Sequence, residues 1–356
     1  MAGYGPSVES LGELSFSLHK DLAERNGGRE KWGYSLTSGN SYTEAPPSKR
    51  GKKGHDWLME EGSRAEVAAS HNFRDGKGPA WLTRRRGDNI DIISEDATCA
   101  QVDPLRLSQF FLEECQSQGV RLHQPAKVVS IIKDEGGGLK GVRIRKNDSS
   151  ESDISCTHLL VTAGAWTPRV FKTLFPESTI KIPISQLAGH SIVIKSPRWS
   201  AEHEDKGCHA VFSSSSCGFS PEMFSRIGGE VYVAGLNDSS IPLPELATDA
   251  KIDRKSMDQL LEVCEKMLGL DHAKSDLEVT REGLCFRPVT PKGTPILSRV
   301  SGERLGIKTS KDGQGGVFTA VGHGPWGISL APGTGKVMAE MIQGQRTSAR
   351  IDGLAL

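Results

Sequence analysis

A chain of 356 residues with 44 Lys and Arg against 44 Asp and Glu carries a formal net charge of +0. That balance argues against a nucleic-acid or anionic-membrane surface, either of which calls for a basic excess. The length suits one large or two ordinary domains, and a hydrophobic content of 36% is lean but sufficient for a globular core. No apolar run approaches a membrane span. The N-terminus carries no apolar signal segment, and Leu354-Ala355-Leu356 is not a peroxisomal tripeptide. The cysteines number 7, an odd count, and none are in C-x-x-C spacing. They read as free thiols in a reducing compartment, with no metal site and a cytoplasmic location expected.

Residues 6–25 predict a helix, because Leu11, Leu14, Leu18 and Leu22 recur at helical spacing and Asn26-Gly27-Gly28 stops it. Residues 32–42 predict a strand with Trp32, Tyr34 and Leu36 on one face. The basic, Pro/Gly-rich stretch 46–55 reads as a solvated loop. A polar stretch with Trp57 and Trp81 leads to a strand at 89–94. Asp103 as N-cap and Pro104 as first helical residue open a second helix, with Leu105, Phe110, Phe111 and Cys115 inward and Gly119 ending it. Short strands are predicted at 120–122 and 127–132, a hairpin turn at 135–138, an exposed strand at 141–146 and a polar turn at 147–155.

The run 158–166 is continuously apolar and ends in small residues. It predicts a strand buried on both faces, as in a parallel sheet. From 180 to 235 the pattern changes to strands at 191–195, 209–212 and 230–234 separated by polar loops, which predicts a mostly antiparallel second layer. A helix at 253–268 follows, with Met257, Leu260, Leu261, Cys264 and Leu268 on its apolar face. No internal repeat is evident.

The segment 317–341 has the form of a ligand-approach loop: a strand at 317–321, a glycine turn at 322–327 and a helix to about residue 342. Glycines without a Cβ let backbone come close to a flat or anionic group. The helix start offers free N–H groups and a partial positive charge, suited to a phosphate or to a ring gaining negative charge. Pro332 sits early in the helix, where a missing N–H is least damaging. Within the turn, His323 reads either as a general base or as a histidine that bonds nearby backbone. Trp326 reads as a pocket wall or a core residue. Ala163-Gly164-Ala165-Trp166 ends the buried strand, where open α/β sheets bind ligands. Arg287, between Phe286 and Pro288, is held extended and can grip a carboxylate with two parallel hydrogen bonds. A structural ion pair is the competing reading.

Three stretches, HLLVTAGAWTP at 158–168, FRPVTPKGTPIL at 286–297 and AVGHGPWGISLAPGTGKVMAEMI at 320–342, resemble the FAD-dependent oxidoreductases of the D-amino-acid oxidase superfamily, in its fungal-type branch. CAQVDPLRLSQFF at 99–111 and KVVSI at 127–131 support the match. The resemblance implies an α/β fold: a Rossmann-like FAD/NAD(P)-binding domain over 1–31, 97–170 and 283–356, and a mostly antiparallel α+β substrate domain over 32–96 and 171–282. It implies FAD as cofactor and oxidation of a C–N bond in a small-molecule amine or amino acid. Hydride would pass to the flavin, with dioxygen as acceptor. Ala163, Gly164, Ala165 and Trp166 would lie near the FAD diphosphate and isoalloxazine, and Val128 would bond the adenine through its main chain. Gly322, His323, Gly324, Trp326, Gly327 and Ile328 would approach the flavin, and Arg287 would hold the substrate carboxylate.

The superfamily opens with a strand, a G-x-G-x-x-G turn, a helix and a second strand ending in an acidic residue. That unit does not precede the helix at 6–25, so the FAD domain is expected to be N-terminally truncated. A flavin-free relative acting as a binding or regulatory protein is the alternative.

Overall fold

The computed structural model describes residues 5–44, 74–75, 78–85, 87–95, 98–214, 217–269, 276–308 and 315–356. The basic stretch 46–55 and Trp57 lie outside the described residues. Helices α1 (Glu9–Asn26) and α2 (Gly28–Trp32) lead into β1 (Ser35–Thr43), β2 (Arg74–Asp75), β3 (Asn89–Ser94) and β4 (Ala100–Gln101). Next come α3 (Pro104–Ser117), β5 (Ala126–Lys133), β6 (Leu139–Lys146), β7 (Glu151–Ser155), β8 (His158–Val161) and α4 (Thr167–Leu174). The order continues with β9 (Ser185–Lys195), α5 (Ala201–Glu204), β10 (Cys208–Ser214), β11 (Glu222–Arg226), β12 (Glu230–Asp238) and α6 (Arg254–Leu268). It ends with β13 (Glu278–Val289), β14 (Ile296–Val300), β15 (Gly316–Val321) and α7 (Gly327–Ile342). Two compact units divide the chain, one of residues 1–3, 22–112 and 187–286, the other of 4–21, 113–186 and 287–356.

The first unit is built on a sheet of order β13-β9-β12-β11-β10-β1-β3-β2, with β4 also on β1. Strands β9, β12, β11 and β10 pair antiparallel in succession, and β1 runs parallel to β10. Burial alternates along β11 and the start of β12, as a sheet with one face on a core requires. Helix α6 closes that core with Met257, Leu260, Val263, Cys264, Met267 and Leu268, and Trp81 is fully buried within it. The Asp253 carboxylate caps α6 by accepting from Ser256 N–H at 2.9 Å.

Two expectations fail here for local reasons. Trp32 is not on a strand: Gly27 and Gly33, both left-handed at φ 66° and 64°, bracket a one-turn helix that ends with it. Its ring is buried against Phe110, with centroids 4.5 Å apart, while Leu36 is exposed. In α3 the Asp103 cap is present, accepting from Leu105 N–H at 2.9 Å and Arg106 N–H at 3.2 Å. The buried residues are Leu107 and Phe110, however, and Leu105 and Cys115 are exposed. A helix of 3.6 residues per turn puts Leu105 nearly opposite Leu107, so both cannot face inward.

The second unit holds two three-stranded sheets, β5-β6-β7 and β14-β15-β8. The stretch 151–155, expected as a turn, is strand β7. Arg143 pairs with Asp153 at 2.8 Å and Arg145 with Glu151 at 2.7 Å across it, so polar cross-strand pairs line an exposed face. Residues 120–122, expected as a strand, are not in one, and Val120 and Leu122 are exposed. In β15, Val317 and Val321 enter one core with Val161, Phe171 and Ile296. Phe318 and Ala320 enter another with Leu11, Leu330 and Val337. The strand is therefore buried on both faces, as its unalternated run requires. Strand β8 is less enclosed than expected, with Leu160 at 38% exposure. Among the described residues, β8 has a partner strand on one side only. No helix among the described residues is long and apolar enough to cross a membrane.

Candidate functional site

Strands β8 and β15 run parallel and in register, Thr319 opposite Val161, and Thr319 Oγ1 donates to the Val161 carbonyl at 3.1 Å. Both chains therefore leave the sheet at the same edge. After each strand come two residues, then a single turn of 3-10 helix, Gly164–Trp166 or Gly324–Trp326, and then an α-helix, α4 or α7. Gly164 and Gly324 share a φ of 53°, and Trp166 and Trp326 close the turns by donating N–H to the Ala163 and His323 carbonyls at 3.0 and 2.9 Å. Sequence reading found no repeat because only the glycine and the tryptophan recur. The backbone conformation is nonetheless the same twice, since a left-handed glycine followed by a one-turn closure fixes the path into the helix.

The glycines differ in why they are glycines. A Cβ on Gly322 would stand 2.4 Å from Thr290 Cγ2 and 2.9 Å from Ile184 Cδ1, so close packing excludes one. A Cβ on Gly164 or Gly327 would meet nothing within 4 Å, and one on Gly324 only Val289 Cγ1 at 3.8 Å. Those three present backbone to open space. Gly324 and Gly327 line a cavity of about 490 Å³, together with Leu160, Thr162, Pro288, His323 and, along α7, Ala331, Thr334, Gly335 and Met338. Among the described residues lining it none is charged. A flat ring system fits such a lining: two glycine backbones at a helix start, small side chains along the helix, and no charge to desolvate. An FAD flavin is therefore compatible with the residues present.

Of the residues singled out in the sequence, His323, Gly324 and Gly327 line the cavity; Gly322, Trp326 and Ile328 belong to the same turn but do not. Ala163, Gly164, Ala165 and Trp166 form the neighbouring turn after β8. Val128 lies in β5, half-buried against the core beneath β8. Arg287 is half-buried in β13, one residue before the cavity-lining Pro288.

His323 Nε2 and Thr334 Oγ1 share a hydrogen bond of 3.1 Å, which ties the turn to the second coil of α7. Burial pushes the imidazole down to about 4, so it is neutral near pH 7. A histidine held below its ordinary 6.5 leaves stability intact above pH 6.5 and removes it as pH falls from 6.5 toward 4, because the unfolded chain binds the proton first. The full loss is about 3 kcal/mol. Urea unfolding at pH 7 and pH 4.5 should show this slope in the natural chain and a shallower one in His323→Gln; equal slopes would refute it.

Ser15, His19 and Thr334 escaped sequence reading. Ser15 and His19 are buried on α1, one and two turns after Leu11. The available signal was two polar residues at i+4 and i+8 from a core leucine, on a helix whose leucines defined the inward face.

A family description of FAD dependent oxidoreductases, the DAO family, matches residues 11–341. The chain belongs to this family. A Schizosaccharomyces pombe protein, an oxidoreductase by name only, is 26% identical over 366 residues, spanning 98% of this chain and 82% of the relative. A Saccharomyces cerevisiae protein of the same designation is 27% identical over 306 residues, 77% of this chain and 54% of the relative. Among solved structures, iminodiacetate oxidase from Chelativorans sp. BNC1 superposes with a TM-score of 0.70 at 18% identity, over 100% of this chain and 85% of that one. Glycine oxidase from Geobacillus kaustophilus superposes with a TM-score of 0.68 at 15% identity, over 99% of this chain and 84% of that one. At these identities the likeness is one of fold: mixed α/β of the FAD-binding DAO type, with mostly antiparallel sheets. Among the described residues, no group of three or more His, Cys, Asp or Glu is placed to hold a metal.

Proposed function

We propose that this DAO-family oxidoreductase binds FAD against the 322–328 turn and oxidises a C–N bond of a small amine or amino acid. The observation that carries the reading is the uncharged cavity of about 490 Å³ beside Gly324 and Gly327 at the start of α7. Its glycine backbone suits a planar ring, and the helix start suits negative charge gained by that ring. When bound, FAD would supply the hydride acceptor, with dioxygen as the terminal oxidant and hydrogen peroxide as its product. The remaining work falls to the chain. His323, Gly324 and Gly327 form the flavin-side wall, with His323 neutral, and Gly322, Trp326 and Ile328 shape the turn that carries them. Ala163, Gly164, Ala165 and Trp166 take the diphosphate side, and the Val128 main chain takes the adenine. Arg287 holds the substrate carboxylate so that its α-carbon lies against the acceptor. The substrate gives up a hydride from carbon and a proton from nitrogen, and the resulting imine hydrolyses in water. The fold neighbours lend support, since they include an iminodiacetate oxidase, glycine oxidases and L-amino acid deaminases.

Purified protein tests this directly. It should be yellow, or become so with added FAD, and form peroxide from an amino acid or a secondary amine. A folded, monodisperse, colourless protein that ignores added FAD would sink the flavoenzyme reading and leave the flavin-free alternative.

A further inference from the structure

Helix α7 contains a proline where a helix should not tolerate one. Pro332 is its sixth residue, inside the helix rather than at its first turn. A proline there has no N–H to return to the carbonyl four residues back, which is Ile328. That carbonyl belongs to the turn described above and stands next to cavity-lining Gly327. The Ile328 side chain is 49% exposed, so little side-chain packing holds the residue.

The missing donor comes from α1. His19 Nε2 donates to the Ile328 carbonyl at 2.9 Å. One turn earlier, Ser15 Oγ accepts from Gly333 N–H at 3.1 Å. Ser15 and His19 are four residues apart, on one face of α1, and are 0% and 8% exposed. Gly333 allows the helices to come this near. A Cβ there would stand 2.8 Å from Ser15 Cβ and 3.0 Å from the Leu11 carbonyl oxygen. Two side chains from one helix thus bond the other on either side of the proline, at the Ile328 carbonyl and the Gly333 amide. Burial holds the His19 imidazole below its ordinary range, so the ring is neutral and must carry its proton on Nε2 to make this bond.

We infer that Ser15 and His19 are positioning residues for the cofactor: His19 supplies the donor that Pro332 lacks, Ser15 binds the next amide, and together they hold the 327–333 backbone in the form that receives the flavin. This deepens the FAD reading of the turn and rests on it. The pair touches no reacting atom. It acts through the Ile328 carbonyl and the Gly333 amide.

The test compares His19→Ala, His19→Gln and Ser15→Ala in the full chain. Glutamine keeps an N–H donor near the lost ring nitrogen. A hydrogen bond of this kind should be worth ~10-fold in the FAD dissociation constant. Titration with FAD should therefore give ~10-fold weaker binding and a shifted flavin absorption band for His19→Ala and Ser15→Ala, with His19→Gln restored to within ~3-fold. Wild-type FAD affinity and spectrum in His19→Ala would overturn the inference, as would a His19→Gln no better than His19→Ala. Amide hydrogen exchange of peptides covering 327–335 in FAD-free protein gives a second readout. It should speed up ~10-fold in His19→Ala and Ser15→Ala and return toward wild type in His19→Gln. Unchanged exchange would overturn the positioning role of Ser15 and His19 even if FAD proved irrelevant. A wild-type chain that binds no FAD, with exchange changed as stated, would sink the flavin reading alone. If His19→Ala does not fold, Ser15→Ala and His19→Gln carry the same comparisons.

Discussion

Replacing Arg287 with alanine is expected to lower kcat/KM for an amino-acid substrate by ~30- to ~1000-fold, the loss of about 2–4 kcal/mol that follows when one partner of a partly buried charge pair is removed. Arg287 is half-buried in β13, where Pro288 holds its backbone extended. Lysine should recover only part of the loss, because an ammonium offers a point charge and not a planar fork. Turnover of an amine without a carboxylate should stay within ~3-fold of wild type, because the carboxylate bond proposed for Arg287 would be absent for that substrate in both proteins. Arg287 also has contacts within the protein, so thermal unfolding of each variant belongs in the same experiment. Equal losses for both substrates, or no loss for the amino acid, would remove Arg287 from the substrate-binding role.

Gly327 carries the second large prediction, with opposite signs for folding and binding. Its φ of −53° and ψ of −51° are helical, and an added Cβ meets nothing within 4 Å. Alanine there should stabilise FAD-free protein by about 0.5–1 kcal/mol, the usual gain from removing a glycine's conformational freedom in a helix. Leucine should also fold, but its side chain would project from a residue that lines the cavity. FAD affinity should fall at least ~100-fold, about 2.7 kcal/mol. Gly322 gives the contrast. Its φ is +81°, and a Cβ would overlap Thr290 and Ile184. Gly322→Ala should destabilise the protein by about 2–4 kcal/mol, from left-handed strain and overpacking, with or without FAD. Thermal unfolding with and without FAD, plus flavin titration, separates the two. A Gly327→Leu that binds FAD normally would place the flavin elsewhere.

Much of the architecture was readable without coordinates, and the reason is periodicity. Unalternated apolar residues at 317–321 imply two buried faces, and β15 divides its side chains between two cores. The apolar face of α6 follows from a spacing of 3.6 residues, which brings Met257, Leu260, Cys264 and Leu268 into the core. The failures have causes of equal locality. Two left-handed glycines broke the predicted strand at Trp32, and cross-strand Arg–carboxylate pairs made a strand of residues 151–155 that composition marks as a turn. Family resemblance, carried by three stretches, agreed with the match over residues 11–341.

The glycine turn illustrates the boundary most clearly. Sequence alone determined that a strand, a turn rich in glycine and a helix occur in order from 317 to about 342, because each depends on residues within a few positions of one another. It could not determine which glycines pack against side chains and which face open space, since Thr290, Ile184 and Val289 are the deciding neighbours. Nor could it determine how a helix survives Pro332. Read from the sequence, the proline fell where its missing N–H matters least; in the fold it lies inside α7, and the missing donor is met by His19, which lies 309 positions from the Ile328 carbonyl it serves. Ser15 reaches Gly333 across 318 positions. Hydrogen bonds of that separation leave no periodic trace in the chain. They exist only because tertiary packing brings α1 to within the reach of a glycine that has no side chain to hold it off.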